Sequence, residues 1–157
     1  MSLQPIGVAV AGLGFGEKVH LPALQANADL SAVALWHPRR ERLDEACDLH
    51  GLRGSDDWNV VLADPAVEAV IIATPPEPRF ELARRALEAG KHVLLEKPVA
   101  LHADQAKELQ RLAIARGRSV AVNYEYRAVP LFMQAKRLLQ AGACLLYTSP
   151  SPRDLST

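Results

Sequence analysis

The chain has 157 residues, nearly half of them hydrophobic, enough for one domain with a sizeable core and too few for two. Basic and acidic side chains balance to a formal net charge of zero, which removes any electrostatic argument for nucleic acid or an anionic membrane as partner. No run reaches the roughly 18 apolar residues of a bilayer span, and Cys47 and Cys144 alone give neither a disulfide framework nor metal-ligand spacing. The start, "MSLQPIGVAV", lacks the basic segment and cleavage site of a secretory signal, so a reduced, cytoplasmic location is expected.

"IGVAVA" (6–11) is a short apolar run suited to a strand buried on both faces. A glycine-rich turn follows, and "EKVHLPALQAN" reads as a helix with Pro22 in its first turns. "LSAVALW" (30–36) is a second strand, and "RRERLDEACDLHG" an amphipathic helix stopped by Gly51. "SDDWNVVLAD" supplies a Ser/Asp cap and a short helix. "AVEAVIIAT" (66–74) is a third strand ended by "PPEP", and "RFELARRALEAG" a helix. "HVLLE" (92–96), "HADQAKELQRLAIARG", "SVAVNYEY" and "VPLFMQAKRLLQAG" continue as strand, helix, strand, helix. Alternating strands and helices demand crossover connections, hence a doubly wound α/β fold: a mainly parallel, Rossmann-type sheet with helices on both faces.

The end of the chain is unlike the rest. "CLLYTSPSPRD" (144–154) has no periodicity and resembles, codon for codon, one reading frame of a common transposase sequencing adapter. Residues 144–157 are therefore expected to be a non-native or disordered tail, and residues 1–143 the domain, with the natural protein continuing beyond Ala143.

In a doubly wound sheet, ligands sit beyond the carboxyl ends of the strands, where strand order reverses. The first turn, "AGLGFGEKVH" (11–20), lies at that place. Gly12 permits a tight turn, and Gly14 lets a pyrophosphate approach the backbone, where helix-opening N–H groups favour an anion. Phe15 lies between them and Gly16. The third glycine of the dinucleotide pattern, which packs helix on strand, is shifted: Glu17 holds its place and Gly16 sits one position early. Glu17 would repel phosphate if it pointed inward, so it is expected to face solvent. A strand–helix turn also needs glycines for purely steric reasons, so a Rossmann-like domain without nucleotide stays open. After the second strand, "LWHPRR" offers Trp36, His37, Arg39 and Arg40 and no acid. That suits a ribose 2′-phosphate and stacking on adenine, so NADP is expected, with NAD possible. The competing reading makes the two arginines solubilising charges.

"GKHVLLEKP" (90–98) brings Glu96-Lys97-Pro98 to the same edge. With "AGLGFGEKVHLPAL", "DPAVEAVIIATPP" and "YRAVPLFMQAKRLLQAGA", the sequence resembles the glucose–fructose oxidoreductase/inositol dehydrogenase family from about Ile6 to Ala143. The resemblance implies an NAD(P)-binding domain followed by a second α/β domain that carries substrate contacts and an oligomer interface. It implies an oxidoreductase exchanging hydride between nicotinamide and an alcohol or carbonyl of sugar, cyclitol or polyol type. Lys97 matches the family's active-site lysine; Glu96 would line the nicotinamide ribose, and Pro98 would fix the turn, through a cis bond in one reading. Thr74 and Pro75 match the loop passing the cofactor, and Arg127 an arginine before the last helix. The sequence departs from the family at Pro76, where an amide or small residue is usual, and at Arg79, where histidine is usual. The expected partner is a small-molecule substrate, with homo-oligomers for the full-length protein and no turnover by the truncated chain. A non-catalytic sensor or scaffold that binds NADP remains the alternative. His20 reads as a helix-packing or loop-bonding residue, and Cys47 as a packed thiol.

Overall fold

The computed structural model describes residues 4–142; the adapter-like tail lies outside them. The chain divides into two units between Asn123 and Tyr124. In the first, β1 (Ile6–Ala11) leads into a π-helical turn (Gly16–His20) that runs on as α1 (Leu21–Gln25). There follow β2 (Leu30–Trp36), α2 (Arg40–His50), β3 (Arg53–Ser55), α3 (Trp58–Ala63) and β4 (Ala69–Ile72). The unit ends with α4 (Pro76–Glu88), β5 (His92–Glu96), α5 (Ala103–Arg116) and β6 (Val120–Asn123). In the second unit a 3₁₀ turn (Glu125–Arg127) precedes α6 (Pro130–Gln140), and Tyr126 meets Phe132 edge-on with centroids 5.5 Å apart.

All five strand pairings are parallel, and the order is β3-β2-β1-β4-β5-β6. The strand order reverses between β1 and β4, which opens a crevice beyond their carboxyl ends. Five strands match the sequence reading; β3 is an addition, since Arg53-Gly54-Ser55 carries no apolar signal and is strand-like only because it pairs with Ala34–Trp36.

Alternation along the strands splits the core in two. Val8 and Val10 of β1 pack with Leu21, Leu24, Leu35, Leu43 and Ala46 under α1 and α2. Ala9 and Ala11 face the other way, with Val70, Ile72, Val93 and Leu95, under α3, α4 and α5. The small side chains of β1 let helices approach closely on that second face. Helix α4 buries Arg79, Leu82, Ala83, Ala86 and Leu87, the spacing of a single helical stripe. Helix α2 ends at Gly51 (φ 64°), as its sequence predicts, and Asp57 caps α3 through the Asn59 N–H at 2.8 Å.

Gly7 shows how tightly β1 is enclosed: a Cβ there would stand 1.9 Å from the Ala66 carbonyl oxygen, a backbone atom with nowhere to go. Gly7→Ala is expected to lower unfolding stability by about 3 kcal/mol or more, read from urea midpoints. An unchanged midpoint would contradict the close approach.

Candidate functional site

The carboxyl ends of β1, β2, β4 and β5 lie side by side, with Ala11 opposite both Trp36 and Ile72, and Ile72 opposite Leu95. The loop after β1 is therefore flanked by the loops after its two neighbours. The Gly12 N–H donates to the Trp36 carbonyl at 3.0 Å, and the Ala73 N–H donates to the Ala11 carbonyl at 2.8 Å.

The three glycines of the loop do different jobs. Gly12 has φ 98°, and a Cβ there would meet the Ala73 carbonyl carbon and oxygen at 2.8 and 2.7 Å. Any side chain there would strain the backbone and push against the exit of β4. At Gly14 a Cβ would meet no atom within 4 Å, so glycine there answers to no neighbour in the chain. At Gly16 a Cβ would lie 2.8 Å from Val10 Cγ1 and 3.4 Å from Ala73 Cβ. Gly16 thus takes the helix-on-strand packing role one position early. The turn it opens is wound wide, with the Leu21 N–H reaching back to the Gly16 carbonyl. The Lys18 N–H donates back to the Gly14 carbonyl at 3.2 Å, and the N–H groups that open a helix ahead of such a bond lack an acceptor within the helix by geometry. Phe15 is exposed beside them and meets the His20 ring edge-on at 5.4 Å.

Glu17 corrects an expectation. It is buried (8% exposed), not solvated, accepting from Arg42 Nη2 at 2.5 Å and lying 3.3 Å from His50 Nε2. These partners belong to α2, so the carboxylate is drawn to that helix and ties it to the glycine turn.

After β2, Trp36 is packed in the core: it is 8% exposed, edge-on to Trp58 at 5.6 Å, with Nε1 donating to the Asp56 carbonyl. Its backbone carbonyl, not its ring, meets the glycine loop. His37 Nδ1 accepts from the Arg39 N–H at 3.2 Å and shapes the bend. Arg40 is held by Asp44 at 3.0 Å, with Asp56 at 3.7 Å, and these acids raise its guanidinium further above its ordinary value. Arg39 is exposed and has no carboxylate partner among the described residues.

After β4, Thr74 is buried, its hydroxyl donating to the Pro75 carbonyl at 3.1 Å, and Pro75 caps α4. At the end of β5, Glu96 is buried (6% exposed). Its Oε1 lies 2.8 Å from His20 Nε2 and accepts from Asn123 Nδ2 at 2.7 Å. Burial alone pushes this carboxyl up. Hydrogen bonds from Asn123 and His20, the charge of His20 and the Lys97 backbone N–H outweigh burial and hold it below the usual carboxylate range. Lys97 is exposed and precedes Pro98 through a cis bond. Arg127 lies in the 3₁₀ turn of the second unit. Among the described residues no three His, Cys, Asp or Glu side chains cluster as metal ligands, and no helix is long and apolar enough to cross a membrane.

Sequence reasoning missed Asn123 and the size of Arg79's part. Arg79 is 4% exposed, and its guanidinium donates to the backbone carbonyls of Thr74, Glu96 and Pro98. The one available signal was a charged residue falling on the apolar stripe of α4.

The residues fit a dinucleotide: an open backbone at Gly14, a helix opening directly after the glycine loop, and Arg39 after β2 without a carboxylate partner among the described residues. Residues 6–124 match the model of an oxidoreductase family with an NAD-binding Rossmann fold. An uncharacterized oxidoreductase of Synechocystis is 41% identical over 136 residues, covering 86% of this chain and 37% of the relative. Levoglucosan dehydrogenase of Pseudarthrobacter phenanthrenivorans is 31% identical over 150 residues, 90% of this chain and 38% of that enzyme. Among solved structures, the 3-ketoreductase KijD10 of Actinomadura kijaniata, in complex with NADP and TDP-benzene, superposes with a TM-score of 0.83. It is 31% identical, over 88% of this chain and 43% of that one. The chain thus spans about two-fifths of the length of the proteins it matches. Its sheet order, its crevice and these matches agree: the chain belongs to the Gfo/Idh/MocA family of NAD(P)-binding oxidoreductases, whose Rossmann fold it carries.

Proposed function

We propose that this domain binds NADP in preference to NAD and serves an oxidoreductase acting on an alcohol/carbonyl pair of the sugar, cyclitol or polyol class. The carrying observation is the division of labour among the glycines: Gly12 and Gly16 are demanded by the fold, whereas Gly14 faces space no part of the domain fills. A glycine the fold does not need, at the opening of a helix, suits the close approach of a pyrophosphate. The relatives support the substrate class, since one is a levoglucosan dehydrogenase and another a 3-ketoreductase solved with NADP.

When bound, the cofactor supplies or accepts the hydride exchanged with a substrate carbon. The other roles belong to the chain. Arg39, unpaired and placed where an NAD-selective domain carries an acid, would grip the 2′-phosphate, with His37 holding the bend. Arg40 contributes less, because Asp44 and Asp56 already occupy it. The backbone carbonyl of Trp36 anchors Gly12, while Thr74 and Pro75 form the wall on the β4 side. Glu96 acts by holding His20 and Asn123 around the end of β5, since its buried carboxylate is already engaged. The Lys97 ammonium would polarise the substrate oxygen and hold or return its proton.

Calorimetry with NADPH and NADH tests the reading. NADPH is expected to bind at least about tenfold more tightly, and Arg39→Ala to remove most of that preference while Arg40→Ala leaves most of it. Absence of heat with either carrier would overturn the assignment. Gly14→Ala separates site from scaffold: stability should stay within about 1 kcal/mol of the parent, while NADPH affinity falls at least about tenfold. Glu96 gives a pH signature. Its folded carboxyl titrates below its unfolded value, so its stabilisation is present above the ordinary carboxylate range and is lost as pH falls through the lowered value. Denaturation midpoints of Glu96→Gln should therefore lie below those of the parent at neutral pH and converge with them in acid. A constant gap across the range would refute this contribution.

A further inference from the structure

The Arg79 guanidinium is enclosed, 4% exposed, on the face of α4 that packs against the sheet. Its Nη1 donates to the Glu96 carbonyl at 2.7 Å and to the Pro98 carbonyl; its Nη2 donates to the Thr74 carbonyl. One nitrogen therefore holds the carbonyls of the residues on either side of Lys97, and its twin holds the neighbouring loop after β4. Burial pushes the guanidinium down from its ordinary value, and the charges of Glu96 and Glu77 oppose that. Its Nε is buried with no partner. A buried cation with one donor left unpaired is costly. A purely packing role would be met by an apolar side chain, as at Leu82, Ala83, Ala86 and Leu87 on the same stripe.

We propose that Arg79 is a positioning residue for Lys97. Its planar fork fixes the backbone from Glu96 to Pro98 and locks it to the Thr74 loop, so that the lysine leaves β5 in one direction. The inference deepens the reading above and rests on it for the purpose of Lys97, but the clamp itself is a property of the chain alone. Lysine cannot reproduce it, because a single ammonium lacks the two coplanar nitrogens that serve the two neighbouring loops.

Arg79→Lys and Arg79→Gln in the 157-residue chain provide the test, with hydrogen exchange followed segment by segment. The proposal expects amide exchange at Lys97 and at Val99, and in the loop after Thr74, to accelerate at least about tenfold, with β1 and β4 amides changed less than about threefold. NADPH affinity should stay within about threefold, while the fluorescence lifetime of its bound nicotinamide changes. Acceleration spread evenly over the sheet, or none near Lys97, overturns the proposal in whichever variant folds. If both variants fail to fold, Arg79 is a folding residue and the proposal is wrong. Failure of the parent chain to bind either carrier sinks the cofactor reading, and the exchange result still decides the clamp.

Discussion

The structure depends on the contact between the turn after β1 and the exit of β4. Gly12 lies against the Ala73 carbonyl so closely that a methyl group would overlap it, and hydrogen bonds on both sides fix the approach. β1 and β4 are adjacent, and the chain leaves them toward opposite faces of the sheet: α1 and α2 cover one core, α3 to α5 the other. The crevice is a consequence of that divergence. The close contact at Gly12 brings the glycine loop, the Trp36–Arg40 bend, Thr74 and Glu96 within one neighbourhood.

Around this point the domain invests buried polar groups in holding loops still. Glu17 ties the glycine turn to α2; the Glu96 carboxylate joins that turn, through His20, to β6, through Asn123. Arg79 links the β4 and β5 exits. Buried charges, even when hydrogen-bonded, add little net stability over apolar packing. Their shared placement at the carboxyl edge, together with an apolar core elsewhere, points to geometry as what they secure.

Much of the fold was legible in the sequence, because its strands are short apolar runs and its helices carry clear stripes. "IGVAVA", "LSAVALW" and "HVLLE" are strands to the residue, and Gly51 ends its helix as read. β3 was not legible, since three residues without apolar character become a strand only by pairing with β2. The candidate site was readable where it is backbone: the glycine spacing located the turn after β1, and the missing acid after β2 drew attention to Arg39. It was unreadable where side chains settle matters over distance. Glu17 is buried because Arg42 and His50, 25 and 33 positions away, receive it, and no local pattern records that. Trp36 turned to the core because Trp58 meets it there, and Arg79 was noticed as an unusual residue without its three acceptors being foreseen.

On the proposed reading, the open backbone at Gly14 and Arg39, which has no carboxylate partner among the described residues, hold one dinucleotide at the β1/β4 divergence. Backbone amide shifts of the isotope-labelled chain, followed as NADPH is added, address it residue by residue. The account predicts that Gly14, Phe15, Gly16, Arg39, Thr74 and Lys97 shift together with a single affinity, while α5 and the β3 edge stay fixed. Shifts confined to another face, or none at these positions, would contradict it.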